Sequence, residues 1–212
     1  GRFTLQDAAL TDNNVAEFSG LGGFNDPDML LGSSSGATRT LPETWSRTQF
    51  NIWAIVMAPL LIGAPVRKLS SFDLETYTNA EVIAVNQDPL LKQGRLVEKH
   101  GFPFMPGSYA IWARNLSNGD AAIVFLNSGW GAGNITCRRA CWNNLPFNFG
   151  SKVNVRDLWT RSLDEPSVVA GSDFSVKVNA WGFSRMFRLS LSVNASADGG
   201  TSRSHESFVV IV

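Results

Sequence analysis

The chain has 212 residues, 18 basic and 18 acidic side chains, a formal net charge of zero and 44% hydrophobic residues. That length fits one or two domains with enough chain to bury a core, and the composition excludes a disordered polymer. The balanced charge, with no basic stripe, argues against a nucleic-acid binder.

The longest apolar run, residues 53–66, is broken by Pro59, Gly63 and Pro65. It falls short of the ~20 residues that span a bilayer, so no transmembrane helix is expected. The chain opens Gly1-Arg2 without Met or an apolar leader, and no signal peptide is visible.

In chain order, the first chemistry-bearing stretch is Gly22-Gly23-Phe24-Asn25-Asp26-Pro27-Asp28-Met29-Leu30. It has two readings. In one it is a turn whose carboxylates serve backbone N–H groups. In the other, one carboxylate sits at the mouth of a pocket. Thr40-Leu41-Pro42-Glu43 then reads as a helix start, with Thr40 as cap, Glu43 as its capping-box partner and Pro42 in the first turn. The helix carries Trp45, Ile52, Trp53 and Val56 on one face and should end near Met57, because Pro59 disfavours helical geometry at Ala58. Leu60-Leu61-Ile62 is a short apolar run of the kind buried on both faces of a parallel sheet. Ser70 or Ser71 can cap a helix through Tyr77, and Asn79 another through about Val85. Helix, buried strand, helix is the rhythm of an α/β layer or barrel.

The second half reads as antiparallel β. Tyr109, Ile111 and Ala113 alternate, Asn118-Gly119 is a hairpin signal, and Ile123 and Phe125 continue beyond it. Val153 and Val155, then Phe174, Val176 and Val178, then Phe187, Leu189, Leu191 and Val193 repeat the pattern. Short strands between Gly, Asn, Ser and Pro clusters suggest a β-sandwich, with a polar loop over residues 194–207 and a last strand at 208–212.

Cys137 and Cys141 are the only cysteines. A metal site would need two further ligands, and His100 and His205 are distant in sequence, so no metal is expected. Two buried thiols and a disulfide closing a tight loop both remain open. Three sequons, at Asn115, Asn134 and Asn194, favour the disulfide and a secretory compartment.

Residues 22–30 resemble the G-G-W-N-D-P-D-M-L motif of glycoside hydrolase family 27, the α-galactosidases and α-N-acetylgalactosaminidases, with Phe24 in place of Trp. The resemblance continues through Trp53-Ala54-Ile55, Ala58-Pro59-Leu60-Leu61-Ile62-Gly63 and Glu81-Val82-Ile83-Ala84-Val85-Asn86-Gln87-Asp88-Pro89-Leu90. Arg156-Asp157-Leu158-Trp159 and Ser184-Arg185-Met186-Phe187-Arg188-Leu189 are similar to later, weaker motifs of that family. Cys137 and Cys141 sit where some animal members carry a C-x-x-x-C disulfide.

The resemblance implies the C-terminal part of a (β/α)8 barrel over residues 1–91, about strands seven and eight, followed by an antiparallel β-sandwich over residues 92–212. Active sites of such barrels lie at the C-terminal ends of the strands. Asp28 and Met29 match positions that line the family's galactose pocket, whereas Asp26 and Phe24 would be structural at the site.

Family members use two aspartates in a retaining mechanism, one in a K-x-D motif on strand four and one on strand six, and the pair must stand ~5–5.5 Å apart. Asp7 and Asp12 lack that context, so both catalytic groups are expected upstream of this chain. The implied function is that of the C-terminal part of a retaining α-galactosidase needing an N-terminal catalytic half, in the same or a separate polypeptide. This chain alone is expected to be inactive. The alternative is a non-catalytic structural or carbohydrate-binding subunit. No cofactor is expected, and the compartment would be extracellular or lysosomal/vacuolar. Galactose, N-acetylgalactosamine and β-L-arabinopyranose stay open, because the discriminating loop belongs to strand five.

Overall fold

The computed structural model describes residues 13–35 and 40–192. Asp7, Asp12, the sequon at Asn194 and the strand expected at 208–212 lie outside the described residues.

A short 3-10 helix, Asn13–Phe18, leads into an extended segment at residues 24–31. Helix α1, Glu43–Ile55, follows. Its N-cap is Pro42, with no side-chain cap bond, so Thr40 does not cap it. The Leu41 N–H instead donates to the Gly32 carbonyl, which draws this stretch back along the preceding segment. The helix ends in a Schellman arrangement: Ala58 N–H donates to Trp53 O and Met57 N–H to Ala54 O, with Met57 at φ 57°. Residues 60–63 return alongside 24–31 through a parallel bridge between Leu30 and Ile62. Extended segment, helix and parallel extended segment make one β-α-β unit. Leu61 and Ile62 are exposed, unlike the doubly buried strand expected, because among the described residues only Leu30 pairs with this segment. Helices α2, Ser71–Tyr77, and α3, Ala80–Asn86, carry the expected side-chain caps, Ser70 accepting from Asp73 N–H and Asn79 from the Glu81 and Val82 N–H groups.

The described residues of the β-rich half form eight strands: β1 Arg95–His100, β2 Tyr109–Asn115, β3 Ala121–Asn127, β4 Gly133–Cys137, β5 Lys152–Asp157, β6 Leu163–Val169, β7 Phe174–Val178 and β8 Phe183–Leu191. Six form one antiparallel sheet in the order β1-β2-β3-β8-β5-β6, and β4 pairs with β7 in a second. At the β2–β3 turn only Gly119 takes positive φ; Gly119 N–H donates to Leu116 O, and Leu116 N–H to Asp120 O, so the loop is longer than a two-residue Asn-Gly turn. Cys137, at the end of β4, is disulfide-bonded to Cys141 in the short helix α4, Arg139–Trp142, and both are buried. Asn115 and Asn134 are both exposed.

The large sheet is buried on both faces. Ile111, Ala113, Ile123, Phe125, Val153, Phe187 and Leu189 pack against β4, β7 and α4. Ala110, Trp112, Ala122, Val124, Leu126 and Met186 pack against α1 and α3. Neighbouring residues therefore point into different cores, as the two-residue period of a strand requires.

Helix α1 was expected to bury one apolar stripe. Instead Ser46, Thr48, Gln49 and Asn51 are fully buried along with its apolar residues, while Trp45 is only half-buried and stacks on Phe104. Each buried polar side chain has its own partner. Ser46 Oγ donates to Asp73; Thr48 Oγ1 donates to Gly182 O; Asn51 Nδ2 donates to Ser184 Oγ.

Asp73 is the hub of a second network, accepting from the Ser33 and Ser34 N–H groups and from the Ser33, Ser34 and Ser46 hydroxyls. Burial alone pushes its pKa up, but these donors outweigh burial and hold it below the ordinary 3.8. A carboxylate with a depressed folded pKa contributes stability above the unfolded value and loses it as pH falls through the folded one. Asp73→Asn should thus destabilise the protein at pH 7 by about 2–4 kcal/mol, since several donors aimed at a charge lose their acceptor. In urea titrations the gap between wild type and variant should narrow below about pH 4. A gap independent of pH would mean that the charge of Asp73 does not matter.

Candidate active site

The segment carrying Asp26 and Asp28 has no strand ladder until Leu30. There the Leu30 N–H donates to Leu61 O (2.7 Å) and Gly63 N–H donates to Leu30 O (2.8 Å). The segment's start is anchored by Asn25, whose Nδ2 donates to Val15 O and to Gln93 Oε1, both at 2.7 Å.

Between these anchors the chain makes a tight, exposed turn. Asp28 adopts φ 78°, in the left-handed region that Asp and Asn tolerate better than other side chains. Such a residue stores about 1–3 kcal/mol and persists only when its surroundings over-determine it. Asp26 Oδ1 accepts from Asp28 N–H at 2.9 Å. Trp53 Nε1 on α1 donates to Asp28 O at 2.8 Å. The Met29 N–H donates to the Asp28 carboxylate itself, at Oδ1, at 2.7 Å. One turn back on α1, Gln49 Nε2 donates to Met29 O at 3.4 Å and its Oε1 accepts from Leu31 N–H at 3.0 Å.

Asp26 thus helps to hold the turn through one oxygen. Asp28 keeps its second carboxylate oxygen without a hydrogen-bond partner among the described residues. Met29 and Phe24 are exposed beside it. Met29 lies over Gly63, where an added Cβ would stand 3.0 Å from Met29 Cβ and 3.5 Å from its sulfur. A side chain at position 63 would push Met29 out of place. The site therefore presents exposed carboxylate oxygens and a thioether on fixed backbone.

The structure brings Asp28, Met29, Asp26 and Phe24 into one segment. Two supporting residues were not foreseen. Trp53 reads as core and Gln49 as an ordinary helix position; the one signal was that they lie four residues apart, on one face of α1.

The rest of the motif-bearing stretch lies elsewhere. Asn86 Nδ2 donates to Ala58 O, and Asp88 accepts from Ser117 N–H and Oγ at the β2–β3 turn. The Asp88 bonds join the helical and β-rich parts. Among the described residues no cluster of His, Cys, Asp and Glu is arranged to hold a metal ion, and no helix is long and apolar enough to cross a membrane.

Residues 4–88 match the family model described as alpha galactosidase A, and residues 106–189 match that of the alpha galactosidase C-terminal beta sandwich domain. Alpha-galactosidase 2 of Arabidopsis thaliana is 40% identical over 147 residues, which is 69% of this chain and 34% of the relative. Alpha-galactosidase 3 of the same plant is 37% identical over 177 residues, 84% of this chain and 38% of the relative. This chain thus spans little more than a third of the length of these curated relatives.

Among solved structures, alpha-galactosidase I from Mortierella vinacea superposes with a TM-score of 0.68 at 27% identity, covering 86% of this chain and 43% of that one. The Saccharomyces cerevisiae alpha-galactosidase solved with raffinose gives a TM-score of 0.73 at 22% identity, covering 84% and 49%, a likeness of fold. With the β-α-β unit falling in the first matched model and strands β2 to β7 with most of β8 in the second, the chain belongs to glycoside hydrolase family 27, the α-galactosidases, and corresponds to the C-terminal portion of its members, the end of a (β/α)8 barrel followed by a β-sandwich.

Proposed function

We propose that this chain forms the C-terminal part of a retaining enzyme that hydrolyses terminal α-D-galactosyl residues, residues 1–91 completing the barrel and residues 92–212 forming the sandwich. The nucleophile and the acid/base come from an N-terminal barrel half, in the same or a separate polypeptide. The observation that carries this reading is Asp28: it stands in the family's pocket motif, exposed on over-determined backbone, with one carboxylate oxygen that accepts no hydrogen bond among the described residues. The family's transition state resembles an oxocarbenium ion, and a fixed carboxylate nearby stabilises the growing positive charge. Met29 would pack beside the sugar ring. In this reading Asp26 is structural at the site, its Oδ1 accepting from Asp28 N–H.

The need for a barrel half is supported by the surface around the site. Phe24 and Met29 on one segment and Leu61 and Ile62 on the segment paired with it are all exposed, and adjacent apolar exposure of this kind marks a contact surface. Secretion and glycosylation are supported by the disulfide and by the exposure of Asn115 and Asn134. The same chemistry supports an extracellular or lysosomal/vacuolar location.

Two measurements test the reading. Residues 1–212 alone should not hydrolyse an aryl α-galactoside, and turnover should appear when an N-terminal barrel half is supplied. Turnover by the pure chain alone would refute it. In the assembled enzyme Asp28→Asn should keep the fold, since Asn also tolerates positive φ, and should lower kcat ~10²–10³-fold. Asp26→Ala should mainly lower the melting temperature, by about 2–4 °C for the loss of one hydrogen bond. The reverse ranking in kcat would place the wrong carboxylate in the pocket.

A further inference from the structure

We propose that Gln49 is a positioning residue for the sugar site: its side-chain amide stands in for a neighbouring strand and fixes Asp28 and Met29 in their working geometry. The inference rests on the galactoside reading above. Residue 30 uses its backbone N–H and C=O on one edge, toward Leu61 and Gly63. In an extended chain the flanking groups, Met29 C=O and Leu31 N–H, point to the opposite edge. Gln49 meets both there, donating to the first and accepting from the second. A primary amide offers a donor and an acceptor side by side, as a peptide group does.

The consequence is local. Gln49 thus fills the edge opposite Leu61 and Gly63 at residues 29–31, immediately after Asp28. Gln49 is fully buried, so its amide cannot turn to water and is held to these two partners. Four residues on, Trp53 holds the Asp28 carbonyl. Two side chains of one helix thereby set three consecutive peptide groups, and with them the left-handed conformation of Asp28. A leucine at position 49 would fill similar space but could satisfy neither backbone group.

The test uses the enzyme assembled from this chain and an N-terminal barrel half, with an aryl α-galactoside. Gln49→Leu should lower kcat about 10–100-fold with KM changed less than about threefold, because misplacement of a charge by about 1 Å acts on the transition state. Trp53→Phe, which removes a single donor, should act in the same direction. Asn79→Ala, which removes the α3 cap and the bond to Leu158 O, should lower the melting temperature while leaving kcat within about twofold.

A crystal structure of Gln49→Leu should show Asp28 out of the left-handed region or residues 28–31 displaced by about 1 Å. Gln49→Leu with kcat within twofold of wild type, or with residues 28–31 unmoved, would overturn the proposal. If Gln49→Leu does not fold, Trp53→Phe decides by the same split between kcat and KM. If the wild-type assembly has no turnover, the galactoside reading fails, and the crystal structure of the variant still decides the role of Gln49.

Discussion

The structure depends on one helix that is buried on every side and is not apolar. Helix α1 sends Ser46 and Phe50 toward α2, Thr48 and Asn51 toward β8, and Gln49 and Trp53 toward the segment at 28–31. Each pair is three or four residues apart, so the helical period divides the duties among three directions. A buried polar group left without its partner costs about 1–3 kcal/mol, so each direction is specified and not merely filled. A shift of α1 by one turn would break all three sets of bonds together.

A second tie runs the other way. Arg114 leaves β2 and donates through Nη1 to the carbonyls of Ala54, Val85 and Asn86, at the C-terminal ends of α1 and α3. Helix C-termini concentrate partial negative charge, which favours a cation there. Burial drives the Arg114 pKa down to about 10, partly offset by the Asp88 carboxylate, so the guanidinium remains charged at neutral pH. Arg156 on β5 grips Glu81 of α3 with two hydrogen bonds, and Trp159 donates to Asn51 of α1. The helical part is therefore bolted to the sheet through polar side chains as well as packed on it.

Much of this was legible in the sequence, for local reasons. Ser70 and Asn79 announced their helices because capping needs only residues within three positions. Alternation revealed β5, β7 and β8, whose flanking residues differ in polarity. In β3 it picked out Ile123 and Phe125 but not their neighbours, because all seven residues are buried between two cores, and it was silent for β6. The one-sided reading of α1 failed because Ser, Thr, Gln and Asn look like solvent-facing residues until their partners, remote in sequence, are known. The site shows the same division. Asp28 and Met29 stood out through a motif, whereas Gln49 and Trp53 became visible only when the chain brought them against residues about twenty positions earlier.

The double burial of the large sheet also bears on how this architecture can be shared among proteins. The face bearing Trp112, Val124 and Met186 is covered by α1 and α3, not by the two-stranded sheet. Separated from those helices it would present a continuous hydrophobic wall to solvent. The β-rich half is thus not a freely portable module. Any recombination that transferred it to another scaffold would have to bring a matching helix with it, or provide a new one of the same shape.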